Sequence, residues 1–178
     1  IPRSFIAEIV LNDQLVPWVE HPELVHCALD LCTGNGSLAT IVADYFYDAE
    51  VVASDISDDA LSVAEINLKR NHLDDRVELL KSDLFKSLGD YLGAFDLIVT
   101  NPPYVDDRRM AALAPEYKYE PSLALSGGGG GLDLVDKILR QAKHYLSDVG
   151  ILVLEMGDNR HELEDMYPDL NFNWMETL

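Results

Sequence analysis

Short apolar runs alternate with segments of helical period along almost the entire chain, and this alternation constrains the fold more than any other feature. Residues 25–31, 51–56, 76–81, 95–100 and 151–155 read as strands, with 172–175 as the start of a sixth. Helical spacing marks 38–47, 58–71, 132–146 and 160–167, and an amphipathic helix over 4–19 precedes the first strand. Ser57 or Asp58 supplies a cap for the helix that follows the second strand. Such alternation implies right-handed crossovers, so the expected architecture is α/β: a Rossmann-like, mainly parallel twisted sheet with helices on both faces. The sixth strand starts just before residue 178, so the last strand of the sheet is expected to be truncated, leaving an open edge. Residues 105–121 read as irregular, and five successive glycines at 127–131 read as a flexible loop.

Size and charge narrow the function. A chain of 178 residues fits one domain, able to bury about two-thirds of its unfolded surface. It opens on Ile1 and reads as a piece of a longer polypeptide. No apolar run approaches a membrane span and no leader pattern opens the chain, so the expected location is cytoplasmic. Cys27 and Cys32 give neither a disulfide framework nor a metal spacing, and the five histidines are scattered, so no metal is expected. The formal charge of −19, from 32 acidic and 13 basic residues, should repel a phosphate backbone and suit a basic partner.

A glycine loop, Asp30-Leu31-Cys32-Thr33-Gly34-Asn35-Gly36-Ser37-Leu38-Ala39, leaves the first strand and opens a helix. Gly34, Gly36 and Ala39 fit G-x-G-x-x-A, and Asp55, followed by Ile56, ends the second strand. That pattern suits a nucleotide whose ribose binds a carboxylate, so a nicotinamide dinucleotide is one candidate. Asp30 argues against it, because a strand-end carboxylate repels a pyrophosphate at the helix N-terminus. S-adenosylmethionine carries no phosphate and bears an ammonium and a sulfonium, which such a carboxylate would attract. Asp83, before Leu84, ends the third strand and could accept from an adenine amino group with Leu84 against the ring. The expected cofactor contacts are Asp30, Cys32, Thr33, Gly34, Gly36, Asp55, Ile56, Asp83, Leu84 and Asn101.

The fourth strand empties into Asn101-Pro102-Pro103-Tyr104. Two prolines remove ladder donors and keep the preceding residue out of the helical region, so this stretch is either a strand-ending turn or a rigid shelf. As a shelf it offers the Asn101 side-chain oxygen, the Pro102 carbonyl and the Tyr104 ring to a flat group bearing –NH₂.

Together these motifs make the chain resemble a class I S-adenosylmethionine-dependent methyltransferase of the Asn-Pro-Pro-Tyr subclass, and within it the bacterial protein-glutamine N5-methyltransferases. The likeness runs from Ile1-Pro2-Arg3-Ser4 through the glycine loop, Asp55, Asp83-Leu84-Phe85, the shelf, Glu120-Pro121, Leu123-Ala124-Leu125 and Gly131-Leu132-Asp133 to residues 151–155. It implies a catalytic domain over 1–178, with S-adenosyl-L-homocysteine as product and the family's N-terminal helical domain absent from these residues. Catalysis falls to Asn101, Pro102 and Tyr104, and substrate binding to Asn101, Pro102, Pro103 and Tyr104. The family has an acidic residue where Gly129 or Gly130 stands, and its loss should loosen that loop. One branch modifies peptide chain release factors and continues Pro-Arg with Pro, an acidic residue and Thr-Glu. The other modifies the third protein of the large ribosomal subunit. Ser4-Phe5-Ile6-Ala7-Glu8, Tyr104-Val105-Asp106 and Pro115-Glu116-Tyr117 resemble the second, whose basic target matches the acidic chain.

Two rivals stand beside this reading. The same shelf can hold a flipped adenine or cytosine, but the chain has no basic stripe, only Arg108-Arg109 as a loop pair. A dinucleotide-binding module is the other. Trp18 and Trp174 read as packing residues, Tyr117 and Tyr119 as walls of an entrance or covers for the sheet edge, and Arg3 as a pocket or cap residue.

Overall fold

The computed structural model describes residues 4–106, 121 and 124–175. Two compact units emerge: Pro2–Asn101 with Leu139–Glu155, and Pro102–Ile138 with Met156–Leu178.

The first unit holds a five-stranded sheet of order β3-β2-β1-β4-β5: β1 (Cys27–Leu31), β2 (Glu50–Asp55), β3 (Val77–Lys81), β4 (Phe95–Thr100) and β5 (Leu146–Leu154). Every pairing is parallel. The central strands are apolar on both faces, and Ala28, Leu29, Leu97, Ile98 and Val99 are buried, as a parallel sheet covered by crossover helices requires. Each of the Leu, Ile and Val side chains contributes roughly 1.5–3 kcal/mol by leaving water. At the entrance to the sheet, the Asp96 carboxylate accepts from His26 N–H (2.9 Å), Cys27 N–H (3.3 Å) and Ser147 Oγ (2.8 Å), tying three strands together.

The helices match their caps. In α3 (Asp58–Arg70), Ser57 Oγ accepts from Ala60 N–H; acids fill the first turn and bases the last, both favourable to the helix dipole. Helix α2 (Ser37–Tyr45) starts at Gly36 and packs on α1 and α3. The helix expected over 4–19 is shorter: α1 is Phe5–Leu11, because Asn12 caps it and Asp13 turns left-handed at φ +56°. Trp18, expected to pack, keeps 42% of its surface exposed. The start of α1 is held from far away, since Ser4 Oγ (2.7 Å) and Phe5 N–H (2.8 Å) both donate to the buried Glu155 carboxylate. Helix α4 (Asp133–Ala142) stops before the expected residue 146, which opens β5 instead. Strand β5 thus begins earlier than residue 151, and its register slips between Phe95 and Leu97.

In the second unit, 172–175 is not a strand. Phe172 and Trp174 pair with each other at 5.6 Å, Trp174 Nε1 donates to Glu164 (2.7 Å), and Arg160 lies over the indole at 4.7 Å. These contacts hold the segment beside α5 (Arg160–Met166). The glycine run is also not a loose loop: Gly127 N–H donates to Val105 (2.9 Å), Gly127 accepts from Asp133 (3.2 Å), and Gly130 accepts from Asn159 Nδ2 (2.7 Å).

Candidate active site

Parallel registration brings the strand ends to one edge. Leu31 faces Ser54 and Thr100, and Asp55 faces Lys81, so Cys32, Asp55, Lys81 and Asn101 occupy the row just beyond. This carboxyl edge is where open α/β sheets receive ligands.

The glycine loop is pinned at most of its peptide groups. Thr33 N–H donates to the Ser54 carbonyl (2.9 Å) and Gly36 N–H to the Thr33 carbonyl (3.0 Å). Gly34 N–H donates to Asp55 Oδ2 (2.9 Å), while Asp55 Oδ1 accepts from Ser57 N–H (2.9 Å). The Asp55 carboxylate is thus fixed in orientation, with lone pairs left for hydroxyl donors. Gly36 lies at φ +77°, and a methyl there would come within 3.0 Å of Ala64 Cβ. Beside Ala64, Asn67 Nδ2 donates to the Asn35 carbonyl (2.9 Å). Ala64 and Asn67 were not foreseen; their i, i+3 spacing on α3 was the available signal.

Asp30 lies within β1, 1% exposed, and takes the Thr33 hydroxyl on Oδ2 at 2.6 Å. Burial raises its pKa to about 7; bonds from the Thr33 hydroxyl and the Ala39 N–H pull it down, and the Asp55 charge adds to the rise. It acts from beneath the loop, not from an exposed strand tip. Burial also pushes the Cys32 thiol up to about 12, helped by the charges of Asp55, Asp30 and Asp83 and opposed by a hydrogen bond with Thr100. Asp30, Asp55 and Asp83 therefore all act on one thiol. Cys32 is expected to stay unalkylated by iodoacetamide at pH 8 for more than ten times as long as a free cysteine, because the thiolate is the reactive form. Mass-spectrometric time courses check this; labelling at the free-thiol rate would contradict it.

After β3, Ser82 Oγ donates to the Leu84 carbonyl (2.6 Å) and accepts from Ser87 N–H (3.0 Å). The turn sets Leu84 at φ +51°. Asp83 is engaged by Lys86 at 2.5 Å on an exposed face, a contact of small net strength. Ile56, expected against the cofactor, is 45% exposed. Asn101 makes no side-chain hydrogen bond among the described residues, so its amide oxygen is available.

In the second unit, Pro102 is buried and Pro103 and Tyr104 are half-buried. Gly157 packs on the Tyr104 ring, a contact the sequence did not signal. Arg3, Arg108, Arg109, Tyr117, Tyr119, Glu120 and Leu123 lie outside the described residues. Among the described residues no three His, Cys, Asp or Glu side chains gather to hold a metal ion, and no helix is long and apolar enough to cross a membrane.

Comparison with known proteins adds the family. A ribosomal protein uL3 glutamine methyltransferase of Neisseria gonorrhoeae is 50% identical over 177 residues, covering 99% of this chain and 58% of that protein. One from Francisella tularensis subsp. tularensis is 45% identical over 175 residues, covering 98% of this chain and 55% of that protein. The chain therefore spans little more than half the length of these curated relatives. The hMettl16 catalytic domain, solved in complex with MAT2A 3′UTR hairpin 1, aligns at a TM-score of 0.66 and 18% identity, over 94% of this chain and 62% of that one. That likeness carries the class I methyltransferase fold alone. The methyltransferase small domain model matches residues 14–117, more than half of the chain. The chain belongs to the methyltransferase small domain family.

Proposed function

We propose that this protein methylates the side-chain amide nitrogen (N5) of a glutamine in a protein, with ribosomal protein uL3 as the target and S-adenosylmethionine as the donor. The observation that carries the reading is Asn101: an amide oxygen without a side-chain partner among the described residues, in the same row as Cys32 of the glycine loop and Asp55. The residues present fit the donor. Asp55 is preset to accept ribose hydroxyls, Gly36 lets the loop pack closely on Ala64 of α3, Ile56 and Leu84 offer apolar cover, and Asp30 and its neighbours favour a cation. When bound there, the sulfonium supplies an electrophilic methyl group.

A glutamine amide is a weak nucleophile because its nitrogen lone pair is delocalised into the carbonyl. Asn101 Oδ1 and the Pro102 carbonyl accept its two N–H groups and hold the nitrogen toward the methyl donor. Tyr104 packs on the amide plane. The rate gain then comes from positioning and electrostatics. The acidic surface suits a basic ribosomal protein, and the two free thiols suit the reducing cytoplasm.

The test incubates the full chain with a labelled methyl donor and, separately, ribosomal proteins, release factors and ribosomal RNA, followed by mass spectrometry. One methyl on a uL3 glutamine is the expected product. Methyl on a release factor alone would shift the target to that branch, and label in RNA alone would overturn the protein-amide reading.

A further inference from the structure

The glycine run has a second property, separate from its hydrogen bonds. A methyl placed on Gly127 would lie 2.7 Å from Tyr104 Cα and 2.9 Å from the Pro103 carbonyl oxygen. On Gly131, at φ +77°, it would overlap the Tyr104 carbonyl oxygen. On Gly157, from a different segment, it would sit 3.1 Å from Tyr104 Cδ2. Gly129 and Gly130 have nothing within 4 Å of such a methyl. Three glycines from two segments thus converge on one residue, while Gly129 and Gly130 face open space and Gly128 abuts the Asp133 side chain.

The contacts are also braced. Val105 N–H donates to the Leu125 carbonyl (2.9 Å) and Gly127 N–H to the Val105 carbonyl (2.9 Å), which lays the run beside the residue that follows Tyr104. From the side of Gly157, Asn159 Nδ2 closes on the Gly130 carbonyl at 2.7 Å. Backbone in direct contact with backbone cannot yield as a flexible side chain can, so the position of Tyr104 follows the absence of side chains at 127 and 131.

We propose that Gly127, Gly131 and Gly157 are positioning residues that seat Tyr104, and that this seat selects a flat amide for methyl transfer. The inference rests on the reading of residues 101–104 as the amide shelf. It explains why residues of no chemical reactivity gather at one tyrosine, and it separates the run into members that touch Tyr104 and members that do not.

That separation supplies the experiment, run on the full chain with glutamine-amide methylation, S-adenosylhomocysteine binding and thermal unfolding measured together. Gly127→Ala and Gly131→Ala are expected to lower kcat at least tenfold, since a displacement near 1 Å costs ~10²-fold, with S-adenosylhomocysteine affinity unchanged. Gly129→Ala should match the parent. Gly130→Ala meets open space at φ +87°; it should lose thermal stability through backbone strain yet keep its kcat. Gly157→Ala, which presses on the ring alone, should raise KM for the protein substrate more than it lowers kcat. The idea is overturned if kcat follows stability across the series, with Gly130→Ala as damaging as Gly131→Ala. It is also overturned if Gly127→Ala and Gly157→Ala both keep parental kinetics. Should the variants at 127 and 131 fail to fold, Gly157→Ala decides the matter by the same kinetics. A parent that binds S-adenosylhomocysteine but methylates no amide would instead refute the proposed function.

Discussion

Asn101→Ala is expected to lower amide methylation by ~10²–10³-fold, the usual cost of removing one preorganised hydrogen-bonding group at a reacting centre, while S-adenosylhomocysteine affinity stays within about twofold of the parent. The side chain sits at the end of β4, one of the most buried strands of the sheet, with Leu97, Ile98 and Val99 packed behind it. Thr100 is locked to the neighbouring strand by a 2.7 Å bond from its hydroxyl to the Leu31 carbonyl. A change at residue 101 therefore leaves the strand and the glycine loop in place and removes only the acceptor. Paired calorimetry and turnover measurements check both halves. Lost affinity with intact turnover of the bound fraction would show that Asn101 serves the cofactor and not the amide.

S-adenosylmethionine affinity should rise as pH climbs from about 6 to 8, approaching tenfold per unit below the midpoint and levelling above it. The cause is Asp30. Its folded-state pKa, raised to about 7 chiefly by burial, leaves the carboxyl neutral below that pH and anionic above it. A cationic ligand favours the anion, so binding lowers this pKa and releases a proton near pH 7. Calorimetry in two buffers of different ionisation enthalpy measures that proton, and Asp30→Asn should abolish both the proton and the slope. The stability term has the opposite sign from that of a paired carboxylate. Because the folded pKa lies above the unfolded value, ionising Asp30 costs stability, beginning as pH rises past about 4 and complete above 7. A flat affinity profile in the parent would remove Asp30 from cofactor recognition.

The strands were legible because their physics is local. Each of the first four runs lies within two residues of its observed bounds, since an apolar run between turn residues has few other stable arrangements. What failed was set by partners distant in sequence. Ser147, Asp148 and Gly150 disguise the first half of β5, which only its pairing with β4 makes a strand. Phe172 and Trp174 look like a strand start, but α5 claims them through Glu164 and Arg160. At the site, Asp55 and the loop glycines were readable from spacing, whereas the burial of Asp30 depended on which strands flank β1. The glycine run misled most. Glycine reports only freedom of the isolated backbone, and the close approach of Tyr104 that uses this freedom is written nowhere nearby in the sequence.

The bond between Ser4 and Glu155 spans 151 positions of the chain. A seven-residue helix cannot persist in water without outside support. While the chain is being made, at roughly 5–20 residues per second, the carboxylate that holds α1 is missing for on the order of 10–30 s after that helix has been synthesised. Until then α1 has only its local cap, Ser4 Oγ accepting from Ile6 N–H at 3.2 Å, and its packing on α2. The contact that completes its first turn therefore forms only after β5 has been made.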